Sequence, residues 1–195
     1  MDRDTYHHGD LKQQLIDNGI VLLNKEGIEG FSLRKVANLC GVSHNAPYKH
    51  FKDKESLIYE IIMEVWQKFY TALKSSTEKP GLDAKTQLLE MGKAYVKFMV
   101  ENPEYLKLIF LSDNPSPIIV QDGEFKSCKD FAFEVFKNCA YNCFDSMKVD
   151  KNMYAAKTLA AWSIVHGIAV LIVKKSIDYR GDYLELVENM VLTSL

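Results

Sequence analysis

The sequence predicts an all-α protein, and three observations carry that prediction. Apolar residues recur with helical spacing almost throughout, and no segment alternates with the period of two that marks a half-buried strand. Residues that cap helices, such as Ser32, Asp53 and Asn102, stand at the heads of apolar runs, and glycine or proline punctuates the gaps between them. At 195 residues, 47% hydrophobic and 26% charged, the chain is long enough for a small head joined to a larger body.

A first helix is expected from Asp10, where Gln13 three residues on gives a capping-box-like start. It runs through Leu11, Leu15, Ile16, Leu22 and Leu23 to a turn at Gly27 and Gly30. Ser32 caps a second helix whose Leu33, Val36, Ala37 and Cys40 fall at i, i+3, i+4 and i+7, and Gly41 ends it as a left-handed residue. The turn Gly41-Val42-Ser43 then leads into a short helix, Ser43 to His50. Asp53 caps a longer helix from Lys54 to about Ser75, with Leu57, Ile58, Ile61, Ile62, Val65, Trp66, Phe69 and Leu73 as its apolar stripe. At about 1.5 Å per residue it spans roughly 33 Å. The run S-S-T-E-K-P-G breaks the chain after it.

The body reads as helices over Leu82 to Val100, Pro103 to Phe110, Phe125 to Phe144, Met153 to Lys174 and Tyr183 to Leu192, with S-D-N-P-S-P, Ser112 to Pro117, as a loop. Asn102 followed by proline at the first helical position opens the second of these. The expected division is residues 1–53 as a head, 54–80 as a connecting helix and linker, and 81–195 as the body.

Composition excludes several classes. The first nineteen residues hold no apolar block with a small-residue cleavage site, so no signal peptide is expected and the cytoplasm is the expected compartment. Leu159 to Val173 is apolar but interrupted by Ser163 and His166 and shorter than the roughly 20 residues of a spanning helix, which predicts a buried helix and no membrane. Cys40, Cys128, Cys139 and Cys143 form no C-x-x-C pair and have no histidine at zinc spacing, so neither a metal nor another cofactor is expected. The last three recur on one helical face, as filler or as an oxidant sensor. No H-E-x-x-H, P-loop, G-x-G-x-x-G or G-x-S-x-G occurs, so no enzyme is expected.

The net charge of −2 and pI near 6.2 do not by themselves mark a nucleic-acid binder. Local charge does: between Arg34 and Lys54 stand Arg34, Lys35, Lys49, Lys52 and Lys54, with Asp53 as the one acid. A helix, a three-residue turn and a second short helix have the spacing of a helix-turn-helix, whose second helix enters the major groove of double-stranded DNA. A hairpin in a core would be apolar there; this one offers His44, Asn45, Tyr48, Lys49 and His50.

From Ile28 to Leu57 the sequence I-E-G-F-S-L-R-K-V-A-N-L-C-G-V-S-H-N-A-P-Y-K-H-F-K-D-K-E-S-L resembles the DNA-binding head of the TetR family of bacterial transcription regulators. Y-x-H-F followed by K-D-K-E-x-L is its most specific part. The opening Y-H-H-G-D-L and A-W-S-I-V-H-G, Ala161 to Gly167, further resemble the subgroup with a Trp, His and Gly motif in its C-terminal domain. The resemblance covers about Tyr6 to Tyr59 densely and the body through few residues. It implies a helix-turn-helix head on a helical ligand-binding and dimerisation domain, and a homodimeric regulator.

Within the head, His44 and Asn45 are placed to reach base edges, asparagine being able to pair bidentately with adenine. Ser43 serves as cap or phosphate donor. Tyr48, Lys49, His50 and Lys54 suit phosphate oxygens, the last at a helix N-terminus that also favours an anion. Arg34, with Ser32, faces the opposite groove wall. Three of these stay open to a second use: Tyr48 packing its ring on Val36 and Phe51, His50 bridging to the next helix, and Lys49 as a solvated charge. His7 and His8, at or just before the first helix, are either incidental or, as the resemblance to the subgroup's opening implies, a contact to the DNA backbone. Pro47 departs from the family pattern; it removes one i to i−4 bond and biases Ala46 away from the αR region, so the groove-facing helix is expected to begin late, near Asn45.

In the body, Ala156, Ala160, Ser163 and Gly167 form a ridge of small residues at i, i+4, i+7 and i+11, and Trp162, His166, Ala169 and Val173 make the neighbouring face. Such a helix, apolar nearly all round, should be buried on two sides. The resemblance implies dimerisation through the last two helices, which assigns this ridge with Leu186, Val187 and Met190 to the interface, intrachain packing being the alternative. Tyr95, Phe98, Met99, Phe110, Phe133, Phe136, Trp162 and His166 are the candidate lining for an apolar or aromatic effector, or plain core. The expected function is a sequence-specific repressor released from a palindromic operator by a small effector. The alternatives are an activator or co-regulator with no inducer, and a helical ligand-binding protein with a vestigial head.

Overall fold

The computed structural model describes residues 8–111, 118–126 and 131–194. Its head begins with α1 (His8–Gly30), which starts two residues before Asp10; helix ends are set by local backbone geometry that side-chain pattern fixes only to a residue or two. Gly27, at φ 69°, kinks α1 three residues from its end. The Ser32 hydroxyl accepts the Lys35 N–H at 3.3 Å and so caps α2 (Leu33–Leu39). Gly41, at φ 68°, then turns the chain where a β-carbon would be strained.

The segment expected as a helix from Ser43 to His50 is instead a turn followed by one 3-10 turn, Pro47–Lys49. The backbone bonds here mostly span three residues, Ala46 N–H to Ser43 O and His50 N–H to Pro47 O. Ala46 is αR at φ −62° and ψ −42°, against the bias expected of a residue before proline. Pro47 occupies the first position of the turn, where its missing N–H costs nothing, and its ring is buried.

Asp53 opens α3 (Lys54–Thr77) through a reciprocal capping box: its carboxylate accepts the Ser56 N–H at 2.9 Å, and its own N–H donates to Ser56 Oγ at 3.2 Å. Hydrogen bonding to the carboxylate by the Ser56 N–H, and then by its hydroxyl, holds the Asp53 carboxyl below its ordinary range. The α3 stripe serves two cores in turn. Leu57, Ile61 and Val65 pack with Leu15, Ile20 and Val36 in the head, and Phe69 and Leu73 pack in the body.

The body contains α4 (Ala84–Glu101), α5 (Pro103–Phe110), α6 (Phe131–Ser146), α7 (Tyr154–Val173) and α8 (Tyr183–Ser194). Asp83 caps α4 by accepting the Thr86 N–H at 2.7 Å. α4 is the central element, packed by α3, α6, α7 and α8, and α5 reaches back to α1. The Ser112 to Pro117 loop and Cys128 lie outside the described residues.

Between α5 and α6 the chain makes a small antiparallel hairpin, β1 (Val120–Gln121) and β2 (Glu124–Phe125), not foreseen from the sequence. Asp122 and Gly123 both have positive φ, 54° and 75°, the pairing a tight two-residue hairpin turn requires. Phe125, expected at the start of a helix, therefore lies in β2 with its ring 5.0 Å from that of Phe133. Lys151–Val173 is long and apolar enough to cross a membrane by length and composition alone. Within the single chain one face of α7 packs on α4, α6 and α8 and the other is exposed.

Candidate nucleic-acid interface and ligand core

The end of α2, the turn after it and the start of α3 bring the head's polar residues to one region. Ser43, His44, Asn45, Tyr48 and Lys49 are all exposed, as is Arg34 at the second position of α2. Tyr48 is 60% exposed, which rules out its ring as core packing and leaves it facing solvent. His44 Nε2 is 2.8 Å from Asn38 Oδ1, so the last turn of α2 orients that ring. Sequence pattern gave no sign of Asn38 in this role, because the contact depends on how tightly the turn closes.

Two of the expected phosphate contacts are drawn toward the head itself. Lys54 Nζ donates to the Ile28 carbonyl at 3.3 Å, at the end of α1. His50 is half-buried, and its Nε2 is enclosed with no hydrogen-bond partner among the described residues, so that nitrogen does not face a phosphate. The bridge to the next helix comes from elsewhere: Lys12 on α1 pairs with Glu60 on α3 at 3.1 Å. Of the basic cluster, Lys35 is neutralised by Glu26. Arg34, Lys49 and Lys52 remain exposed.

The body residues proposed for an effector converge, although little space separates them. Tyr95, Phe110, Phe133, Phe136 and Trp162 line a cavity of about 10 Å³ together with Ala132 and, from α3, Phe69 and Leu73. That is about the room of a single water. Phe98 packs its ring on Phe69 and Tyr105 instead, and Met99 is a core residue outside the cavity. At the cavity wall Trp162 Nε1–H donates to Tyr95 Oη at 3.2 Å, and that oxygen lies 3.0 Å from His166 Nδ1. Burial pushes the His166 imidazole below its ordinary range. Phe69 is the lining residue that sequence reasoning left in the ordinary core stripe.

The thiols are quiet. Burial pushes Cys139 up to about 12 and raises Cys143 and Cys40, so all three stay protonated and unreactive near neutrality.

On the outer face of α7, Ala156, Ala160 and Ser163 are exposed and Gly167 is half-exposed, and among the described residues nothing outside its own helix backbone lies within 4 Å of the position a β-carbon would take. Intrachain packing therefore does not occupy this ridge. Leu186 and Met190 are half-buried and pack against the body core. Val187 is fully buried, near the β-carbon position of Gly92 on α4 together with Val165 and Val191. It belongs to the core of the chain and leaves the proposed interface, because the phase of α8 turns the 187 and 191 positions inward.

Comparison with known proteins agrees with this architecture. Residues 15–61 match the family model described as bacterial regulatory proteins of the tetR family, and residues 88–193 match the tetracyclin repressor-like C-terminal domain. An uncharacterised HTH-type transcriptional regulator of Bacillus subtilis, YobS, is 26% identical over 94% of this chain and 90% of its own length. An HTH-type transcriptional regulator of Staphylococcus aureus is 25% identical over 65% of this chain and 68% of its own. Among solved structures, a Rhodococcus protein of unknown function superposes with a TM-score of 0.73 at 24% identity, covering 98% of this chain and 97% of that one. A TetR-family transcriptional regulator of Haemophilus influenzae gives 0.69 at 19% identity, covering 97% and 96%. A helix-turn-helix head and a helical body, each matched where the structure builds it, place the chain in the TetR family of transcriptional regulators.

Proposed function

We propose that this chain is a homodimeric repressor that holds a palindromic operator with two heads and is released by a small apolar or aromatic effector. The observation that carries this reading is α3. Its Leu57, Ile61 and Val65 belong to the head core, while Phe69 and Leu73, on the same stripe, line the aromatic cavity of the body. A ligand that enlarges the cavity must move Phe69 or its neighbours, and that displacement reaches the head along a continuous helix. A second route supports the coupling: α5 ends in Phe110 at the cavity and carries Tyr105, Leu108 and Ile109 against the head core. The mechanism is a population shift toward a body conformation whose heads no longer match two half-sites.

The dimer is supported by the uncovered apolar face of α7, from Ala156 to the 42%-exposed Leu171. On the DNA, Asn45 and His44 read bases, Arg34, Ser43, Tyr48 and Lys49 hold phosphates, and Lys54 contributes charge at the start of α3. Ser32 acts through its cap on α2. The protein works in the cytoplasm with no cofactor. The test is genome-wide capture of bound DNA followed by gel shift on the recovered fragments. Inverted repeats bound by two chains support the reading, and no shift at low salt overturns it.

A further inference from the structure

The polar atoms at the cavity wall restrict what an effector can be. An indole N–H only donates, so Tyr95 Oη accepts from Trp162, and the arrangement that uses every proton has the Tyr95 hydroxyl donating to Nδ1 of a neutral His166. A molecule that separates Trp162 from Tyr95 leaves that N–H without an acceptor in an apolar enclosure, which is costly unless the molecule supplies one. None of the described side chains lining the cavity is charged, so an ionised ligand would lose its hydration without a counter-charge from them.

The space must come from a side chain. Tyr95, Phe69, Phe133 and Phe136 are fully buried; Trp162 and Phe110 are half-buried, but Trp162 is tied to Tyr95 by its N–H, whereas Phe110 stands at the last position of α5, next to the exposed Leu111. Its ring closes the cluster edge-on to Trp66 at 5.4 Å and His166 at 4.9 Å between ring centres. Swinging Phe110 outward opens the cavity with the least burial lost.

We infer that this cavity takes a neutral planar aromatic molecule bearing a hydrogen-bond-accepting oxygen, which enters by displacing the Phe110 ring and receives the Trp162 N–H. This rests on the effector reading above and narrows it. Binding of three probes of similar shape to the full-length protein tests it by equilibrium dialysis: 2-acetylnaphthalene, 2-ethylnaphthalene and 2-naphthoate. The ketone should bind at least about ten-fold tighter than the other two, the discrimination expected of one buried hydrogen bond. Trp162→Phe should bring the ketone down to the affinity of 2-ethylnaphthalene. Phe110→Ala, which supplies the space in advance, should strengthen both neutral probes. Equal binding of the two neutral probes by the unaltered protein overturns the role of Trp162 while leaving an apolar effector standing. Tightest binding of the naphthoate overturns neutrality. Failure of every probe with both the unaltered protein and Phe110→Ala overturns the effector reading itself.

Discussion

The hydroxyl of Tyr95 on α4 lies 3.0 Å from Nδ1 of His166 on α7, two residues 71 apart in sequence joined across the most aromatic part of the body. Because Trp162 donates to the same oxygen, one hydroxyl satisfies two neighbours. Tyr95→Phe removes it and leaves both in an apolar setting. The expected loss of stability is about 1–3 kcal/mol, measured as a lower urea midpoint at unchanged slope.

The same imidazole makes stability fall with acid. Its folded pKa is lowered by burial, so above the ordinary imidazole value, about 6.5, both folded and unfolded states are neutral there. Below that value the unfolded chain takes up a proton that the folded one resists, and stability declines until the folded imidazole also protonates. Unfolding midpoints followed from pH 7.5 down to 5.5 should fall less steeply in His166→Phe than in the unaltered chain. Parallel slopes would assign the acid response elsewhere.

Gly167→Leu tests the dimer face. Among the described residues nothing beyond its own helix backbone lies within 4 Å of a β-carbon at this position, so the variant should fold with unchanged helicity by circular dichroism. In sedimentation it should run as a monomer, because the added isobutyl group holds a partner helix off the ridge. A dimer that survives places the contact on another surface.

Lys54→Ala separates two uses of one ammonium group. As a phosphate contact its loss weakens binding to all DNA sequences and lowers the salt slope by about 1. Its bond to the Ile28 carbonyl predicts only a small loss of stability. Fluorescence anisotropy at four salt concentrations distinguishes them, and an unchanged slope assigns Lys54 to the head alone.

Asn45→Ala should relax preference at one base position in each half-site with little change in salt slope, since Asn45 is exposed at the tip of the turn and carries no charge. Selection of bound sequences from a random pool checks it. An unaltered base profile removes Asn45 from base reading.

What was legible in the sequence was local. Ser32 and Asp53 cap their helices as their spacing suggested, because each such bond closes over three residues. Of the 3.6-residue stripe of α3, Leu57, Ile61, Val65, Phe69 and Leu73 are buried, while Ile58, Ile62 and Trp66 on its edges are only half-buried. The Asp122-Gly123 turn was visible as a dipeptide, yet its strands have two residues each, too short for any periodicity to register. Ala46 took αR despite the proline after it, since the Ala46 N–H to Ser43 bond fixes the turn first. Val187 and the near-absence of cavity space were beyond reach for another reason: how α8 is rotated against α4, and how completely six rings fill a gap, depend on neighbours distant in sequence.

The sharing of α3 between two cores bears on how far the DNA-reading unit is portable. Leu57, Ile61 and Val65 are each fully buried and form one wall of the head, so a fragment ending at residue 53 would expose Leu15, Val36 and Phe51 to water. The head is not a cassette that can be excised or grafted at its apparent boundary. Its folding is underwritten by a helix whose other half is anchored in the body, and losing that anchor costs the head its own integrity along with its control.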